Sequence, residues 1–198
     1  MGKRVFLGVV AGSIVVFLVS SIWHMASGLG QVGIQNLPNE DAVLSELRSS
    51  LHSPGLYFFP GMDPNAPGTK EQQQASQAAY LKKYKEGPTG ILVYHPGGQE
   101  LAIGRLLAVQ FLTGVVGAFL LAWVLATTAD ATTFTKRTLL VLAISLFAAI
   151  IYEIPNWNWY GFPGNYILSH GAGWIVSWSA AGLAMAAIIK RPKASATT

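Results

Sequence analysis

The chain contains no cysteine, and that absence removes disulfides, cysteine-ligated zinc, iron–sulfur clusters and thiol redox chemistry together. Charge is scarce too. Only 11% of residues are Asp, Glu, Lys or Arg against 52% apolar, too little polar surface to cover a soluble fold. The chain has no Gly-x-Ser-x-Gly elbow, no phosphate loop and no His-Glu-x-x-His pair. Ser13, Ser20, Ser21, Ser177 and Ser179 therefore lack a base at a recognisable spacing, and hydrolase and nucleotidase readings have no support. The pI of about 9.4 comes from basic pairs beside apolar runs rather than from a basic stripe. That pattern points to anionic lipid, not nucleic acid, as the partner.

What the chain does have is four uncharged apolar stretches, 5–23, 106–129, 138–152 and 166–189, each closed on one side by Lys or Arg. A hydrocarbon core about 30 Å thick needs roughly 20 helical residues. Three stretches reach that length directly. The third is short, and crosses if Lys136 and Arg137 snorkel and the helix runs on to Ile154, where Pro155 is expected to stop it. The fold class expected is a membrane all-α protein, an up-down bundle of four transmembrane helices from 1–23 and 106–189. Gly8 and Gly12, Gly114 and Gly117, and Gly171, Gly173 and Gly182 recur at intervals that let helices approach closely.

Positive charge sets the expected orientation. Lys3 and Arg4, Lys136 and Arg137, and Lys190, Arg191 and Lys193 all fall on one side, so both termini are cytoplasmic and residues 190–198 form a basic cytoplasmic tail. The first stretch is expected to stay as an uncleaved anchor, since no Ala-x-Ala site follows it.

Residues 24–105 form an extracytoplasmic insertion that alternates helix and strand signals. Asn39 is placed to cap a helix carrying Val43, Leu44, Leu47 and Leu51 on one face. Leu56–Phe59 reads as a strand. Thr69 with Gln72 reads as a capping box, Gly87-Pro88 as the stop of that second helix, and Ile91–Tyr94 as a second strand. The order α-β-α-β defines a small α/β unit, with the strands apolar on both faces and expected to be covered on both. The stretch 62–68 reads as loop.

Three ionisable groups fall at the outer ends of the spans: His24, Glu153 and His170, with Gln110 deeper. Charge near hydrocarbon is costly, so these form a candidate ligand or proton-handling site if the helix ends converge. Two imidazoles and a carboxylate can ligate a metal, and one His can ligate a haem or pigment. The plainer reading is a structural ion pair. The connection 152–166 is crowded with aromatics, and Trp157, Asn158, Trp159 and Tyr160 read either as a headgroup belt or as a pocket or interface for lipid, quinone or pigment. His52 and His95 have no acidic or cysteine neighbours in sequence and read as surface or turn residues.

The runs Gly55–Asp63, Gly87–Pro96 and Asn156–Pro163 together resemble a group of four-span bacterial integral membrane proteins of unassigned function. The resemblance covers nearly the whole chain. It implies the four-span architecture and a bacterial source, hence an inner membrane with 24–105 in the periplasm, and it carries over no catalytic residue. The function expected is that of a non-catalytic accessory or structural subunit of a membrane complex or homo-oligomer. The alternative is an outer-face metal, haem, pigment or quinone binding protein of an electron-transfer system, and the third reading is a small transporter with Gln110, Thr113 and Asn158 along its path.

Overall fold

A computed structural model describes residues 2–62, 68–98, 100–128 and 132–190. The basic tail beyond residue 190 and most of the expected 62–68 loop lie outside the described residues. The chain divides into two compact units, one of the residues up to Ile34 and from Leu101 onward, the other Gln35–Glu100.

The first unit holds four helices long and apolar enough to cross a bilayer. They are α1 (Gly2–Ser21), extended by a π-helical turn over Ile22–Ala26, then α4 (Ile103–Thr128), α5 (Phe134–Tyr160) and α6 (Gly164–Ile188). At 25 to 27 residues, each exceeds the roughly 20 that a hydrocarbon core requires. The helices pack as a row rather than a closed square: α4 against α1, α1 against α6, and α6 against α5, while α4 and α5 scarcely meet.

Glycines make those contacts possible. A Cβ on Gly8 would fall 2.7 Å from Ile189 Cδ1, and one on Gly12 would fall 2.5 Å from Met185 Sδ, so α1 lies directly on α6. Gly182 accepts Val141 of α5, and Gly114 of α4 accepts Val16 of α1. The small-residue intervals are thus used within the chain, where close backbone approach maximises dispersion contact in the absence of a hydrophobic drive between helices. Packing is tightest at the end that carries both termini, where Ala118, Leu121, Ala122, Leu125, Val141, Met185 and Ile189 form the core. Arginines fasten this end: Arg137, 5% exposed, donates to the carbonyls of Thr132 at 2.8 Å and Ala186 at 3.2 Å. Arg4 donates to the Lys190 carbonyl at 2.6 Å. Each offers a cation to the orphan carbonyls where α6 ends.

Pro155 does not stop the third span. Helix α5 runs through it to Tyr160, and only Gly161, Phe162 and Pro163 separate α5 from α6. Proline removes one N–H and crowds the carbonyl four residues back, but Asn156 Nδ2 donates to the neighbouring Tyr152 carbonyl at 2.9 Å. The real stop is Gly161 at φ 69°, whose N–H turns back to the carbonyls of Asn156 and Trp157. Trp157, Asn158, Trp159 and Tyr160 are therefore helical, not part of a long connection.

The second unit contains α2 (Glu40–Ser50), β1 (Gly55–Phe59), α3 (Lys70–Glu86) and β2 (Gly90–Tyr94), in the expected α-β-α-β order. The strands pair antiparallel with Gly55 opposite Tyr94 and Phe59 opposite Gly90. The Phe59 ring lies over Gly90, where a Cβ would fall 2.8 Å from Cζ, so the aromatic covers the position that lacks a side chain. Thr69 and Gln72 form the full capping box of α3. Asn39 precedes α2 but caps nothing with its side chain: its backbone is left-handed, at φ 50°, and only its carbonyl engages the first turn, accepting from Ala42 and Val43. The expected cover on both strand faces is not found either, since Leu56 is 57% and Val93 65% exposed. Among the described residues neither α2 nor α3 packs closely on another element.

Two outcomes follow from this packing. Gly12→Val places branched carbons against Met185 and lowers stability by about 1–3 kcal/mol, whereas Gly104→Ala, with open space around it, raises it by up to about 1 kcal/mol. Thermal unfolding in detergent reads both, and an unaltered midpoint for Gly12→Val refutes the α1–α6 contact. In α3, the Glu71 carboxyl is held below its usual range by its own backbone N–H and the Thr69 hydroxyl. Its contribution to helix stability is present above the ordinary carboxylate value and is lost as pH falls through the lowered one. Amide exchange over the first turn of α3 accelerates on acidification, and Thr69→Ala produces the acceleration at neutral pH, costing about 1 kcal/mol.

Candidate functional site

His24, Glu153 and His170 of the first unit meet at the end of the bundle opposite Arg4 and Arg137. His24 sits on the π-helical turn that closes α1, where Ser27 N–H donates to the Ile22 carbonyl at 2.9 Å and the Ser27 hydroxyl donates to the Trp23 carbonyl at 2.7 Å. The extra residue per turn widens the helix and changes the direction of its side chains. Gly28, at φ 74°, then reverses the chain into a short 3₁₀ turn, Leu29–Gln31. That turn lies on α6, fastened by the Ser169 hydroxyl donating to the Leu29 carbonyl at 2.7 Å. Gly30 passes so close to His24 that a Cβ would meet its Nδ1 at 2.7 Å.

Across from His24, α6 presents His170 and α5 presents Glu153. His170 Nδ1 lies 2.5 Å from Glu153 Oε1, a hydrogen bond between imidazole and carboxyl. Glu153 is 3% exposed and settles against Gly171, where a Cβ would come 3.3 Å from its Cγ. Its other oxygen, Oε2, is buried without a hydrogen-bond partner. Rings surround His170: Tyr166 stacks on it at 5.3 Å and 12°, His24 tilts at 5.9 Å, Trp174 meets it edge-on at 6.2 Å, and Tyr152 stands at 6.4 Å.

The structure thus brings His24, Glu153 and His170 together. Among the described residues, no three His, Asp or Glu are arranged to hold a metal ion. What the arrangement does provide is a buried carboxylate half satisfied by an imidazole, inside an aromatic shell. A low-dielectric setting strengthens that bond and makes the vacant acceptor costly.

Two cavities adjoin the cluster. A small polar one, about 50 Å³, lies between α1, α4 and α6 and is lined by His24, Ser20, Gln110, Thr113 and Ser177. A larger apolar groove of about 500 Å³ opens where α4 and α5 diverge, bordered by Leu120, Val124, Ile144, Ala148, Tyr152, Trp174 and Trp178. Trp157, Asn158, Trp159 and Tyr160 line neither cavity and are exposed, with Trp159 at 79%.

Sequence reasoning missed Trp174 and Trp178, which border both cavities. Their spacing of four on α6 places them on one helical face, and that was the available signal. It also read Arg137 as a snorkelling and orientation-setting charge, whereas it is a buried tie between α5 and α6. When the chain is compared with known proteins, no family model, no curated protein and no solved structure matches it.

The buried pair sets an expectation for stability. His170→Leu leaves the Glu153 carboxylate without its donor and costs about 3–5 kcal/mol. The double variant His170→Leu, Glu153→Leu recovers a large share of that loss, because no charge is then stranded. A double-mutant cycle by thermal unfolding in detergent measures the coupling, and additive losses contradict the pairing.

Proposed function

We propose that this protein is a non-catalytic subunit of a membrane complex or of a homo-oligomer, with both termini on the cytoplasmic side and the Gln35–Glu100 unit outside, completed by a partner. The observation that carries the reading is the open face of the hairpin. Leu56 and Val93 pair across the strands and stand 57% and 65% exposed. A two-stranded sheet is marginal by itself, and α2 and α3 do not wrap it. Ordering such a unit costs conformational entropy that buried area must offset. A complementary apolar surface on a partner supplies that area.

The orientation rests on charge. Lys3, Arg4, Lys136, Arg137 and Lys190 belong to the end of the bundle where α1 begins, α5 begins and α6 ends, and basic residues are retained on the cytoplasmic side. Among the described residues, the opposite end has a single Lys or Arg at a span edge, Arg105 in the first turn of α4. Around the polar cluster at that end the Ser20, Ser27, Thr113 and Ser169 hydroxyls donate to backbone carbonyls rather than to a histidine, which favours a structural role over turnover.

The test is extraction in mild detergent followed by native mass measurement, with accessible tags at both ends in intact cells. A species heavier than one chain, and tags reachable only from the cytoplasm, are expected. Leu56→Asp with Val93→Asp returns the mass to that of a single chain while the four helices keep their thermal midpoint. A wild-type chain that is strictly monomeric under these conditions, or a tag exposed outside, defeats the proposal.

A further inference from the structure

The small cavity between α1, α4 and α6 is the more polar of the two, and it lies within helices long enough to span a bilayer. Three elements line it with hydrogen-bonding groups: Ser20 and His24 from α1 and its π turn, Gln110 and Thr113 from α4, and Ser177 from α6. Ser177 is 2% exposed and sits near the middle of α6, and its hydroxyl makes no hydrogen bond to any described residue. The Gln110 amide makes none either. The Ser20 and Thr113 hydroxyls donate to carbonyls of their own helices, those of Phe17 at 3.1 Å and Val109 at 2.9 Å, so each oxygen is left as an acceptor. Hydrocarbon offers such groups nothing, and leaving them unmet is costly.

Size and charge narrow what can serve them. A volume of about 50 Å³ admits about one or two water molecules at roughly 30 Å³ each. A lipid headgroup does not fit, and an acyl chain brings no hydrogen bond. The described lining residues include no Asp or Glu to hold a metal cation and no Lys or Arg to hold an anion. The groups that face the cavity are mixed, with acceptors at Ser20 and Thr113, a hydroxyl at Ser177 and an amide at Gln110 that has both characters. Water donates and accepts in the same small volume, and it needs only two to four polar partners.

We propose that this cavity is a hydration site inside the bundle, where bound water bridges α1, α4 and α6. The water accepts from the Ser177 hydroxyl and the Gln110 amide and donates to the oxygens of Ser20 and Thr113, with His24 completing the set toward the outer end. The bridge matters most for α4, which touches α6 far less than it touches α1. Water-mediated bonds are nearly as favourable as direct ones, so they tie α4 to α6 where side chains do not. The proposal concerns hydration alone and is independent of the subunit role, which rests on the hairpin face.

The experiment uses the full chain in phosphatidylcholine bilayers with deuterated acyl chains, and solid-state NMR reads magnetisation transfer from water to the protein. Transfer is expected at the Gln110 side-chain amide and the Ser177 backbone amide. It is expected to be absent at their sequence neighbours Val109 and Val176, which are 56% and 45% exposed on the bare chain and face lipid in the bilayer. Exposure alone predicts the reverse order for residues 176 and 177, so the wild-type comparison decides the matter without any variant. Ser177→Ala removes one partner and keeps the space, and lowers the transfer at Gln110 about fivefold, the equivalent of one hydrogen bond. Ser177→Val puts carbon into the space and abolishes that transfer. Equal transfer at Ser177 and Val176, no transfer at Gln110, or transfer at Gln110 unaltered by both substitutions overturns the proposal.

Discussion

Helix α6 is the wall on which the whole bundle is built, and close backbone approach is the constraint that makes it so. On one side α1 reaches it through Gly8 and Gly12; on the other, Gly182 lets Val141 of α5 into the space a side chain would fill. In hydrocarbon there is no gain from hiding apolar surface, so association depends on contact distance, and contact distance depends on glycine. Near the termini, where small residues dominate, the helices close into a sealed core. Toward the other end α6 changes character, from Ala181, Gly182 and Ala186 to Trp178, Trp174 and His170. Trp178 rests on Gly117 of α4 and Trp23 of α1 rests on Gly173. The large rings Trp174 and Trp178 of α6 border both cavities.

The coarse fold was legible because its signal is length and composition. Four apolar runs long enough to span give four helices, and the turn chemistry of Thr69–Gln72 and Gly87 gives the bounds of α3. What was not legible depended on partners distant in sequence or on local compensation. Pro155 should break a helix by its own chemistry, but α5 runs through it and a left-handed Gly161 provides the stop six residues later. Asn39 carries the right side chain for a cap in a backbone conformation that prevents its use. The convergence of His24, Glu153 and His170 was an expectation from helix ends sharing one level. Their contact distances depend on the π turn and on the Leu29–Ser169 bond, neither of which has a sequence pattern. The row packing, and with it the groove, follows from which glycine faces which helix, a property of the folded chain.

The two units differ in how they meet the cost of ordering. The four-helix unit satisfies its backbone internally and fills one end with interlocked side chains, so its weak points are local: Glu153 Oε2, Trp23 Nε1 and Arg137 Nε, buried without partners. These are groups for which burial was imposed by packing. In a low-dielectric interior an unmet acceptor costs more than an absent one, and a carboxylate kept there in contact with a single imidazole is poorly explained by stability alone. An apolar residue of similar volume at position 153 would pack against Gly171 with no such penalty.

The Gln35–Glu100 unit has the opposite weakness. Its polar groups are served by a two-strand ladder, by one complete capping box and by water, but its apolar side chains are not. Helix α3 leaves its apolar Leu81 and Tyr84 exposed and does not pack closely on the hairpin, while α2 carries a short apolar face of its own. The bundle's unmet groups are polar and buried, Glu153 Oε2 an acceptor and Trp23 Nε1 and Arg137 Nε donors, while the Gln35–Glu100 unit leaves the apolar Leu56 and Val93 exposed, so the two units are incomplete in different ways.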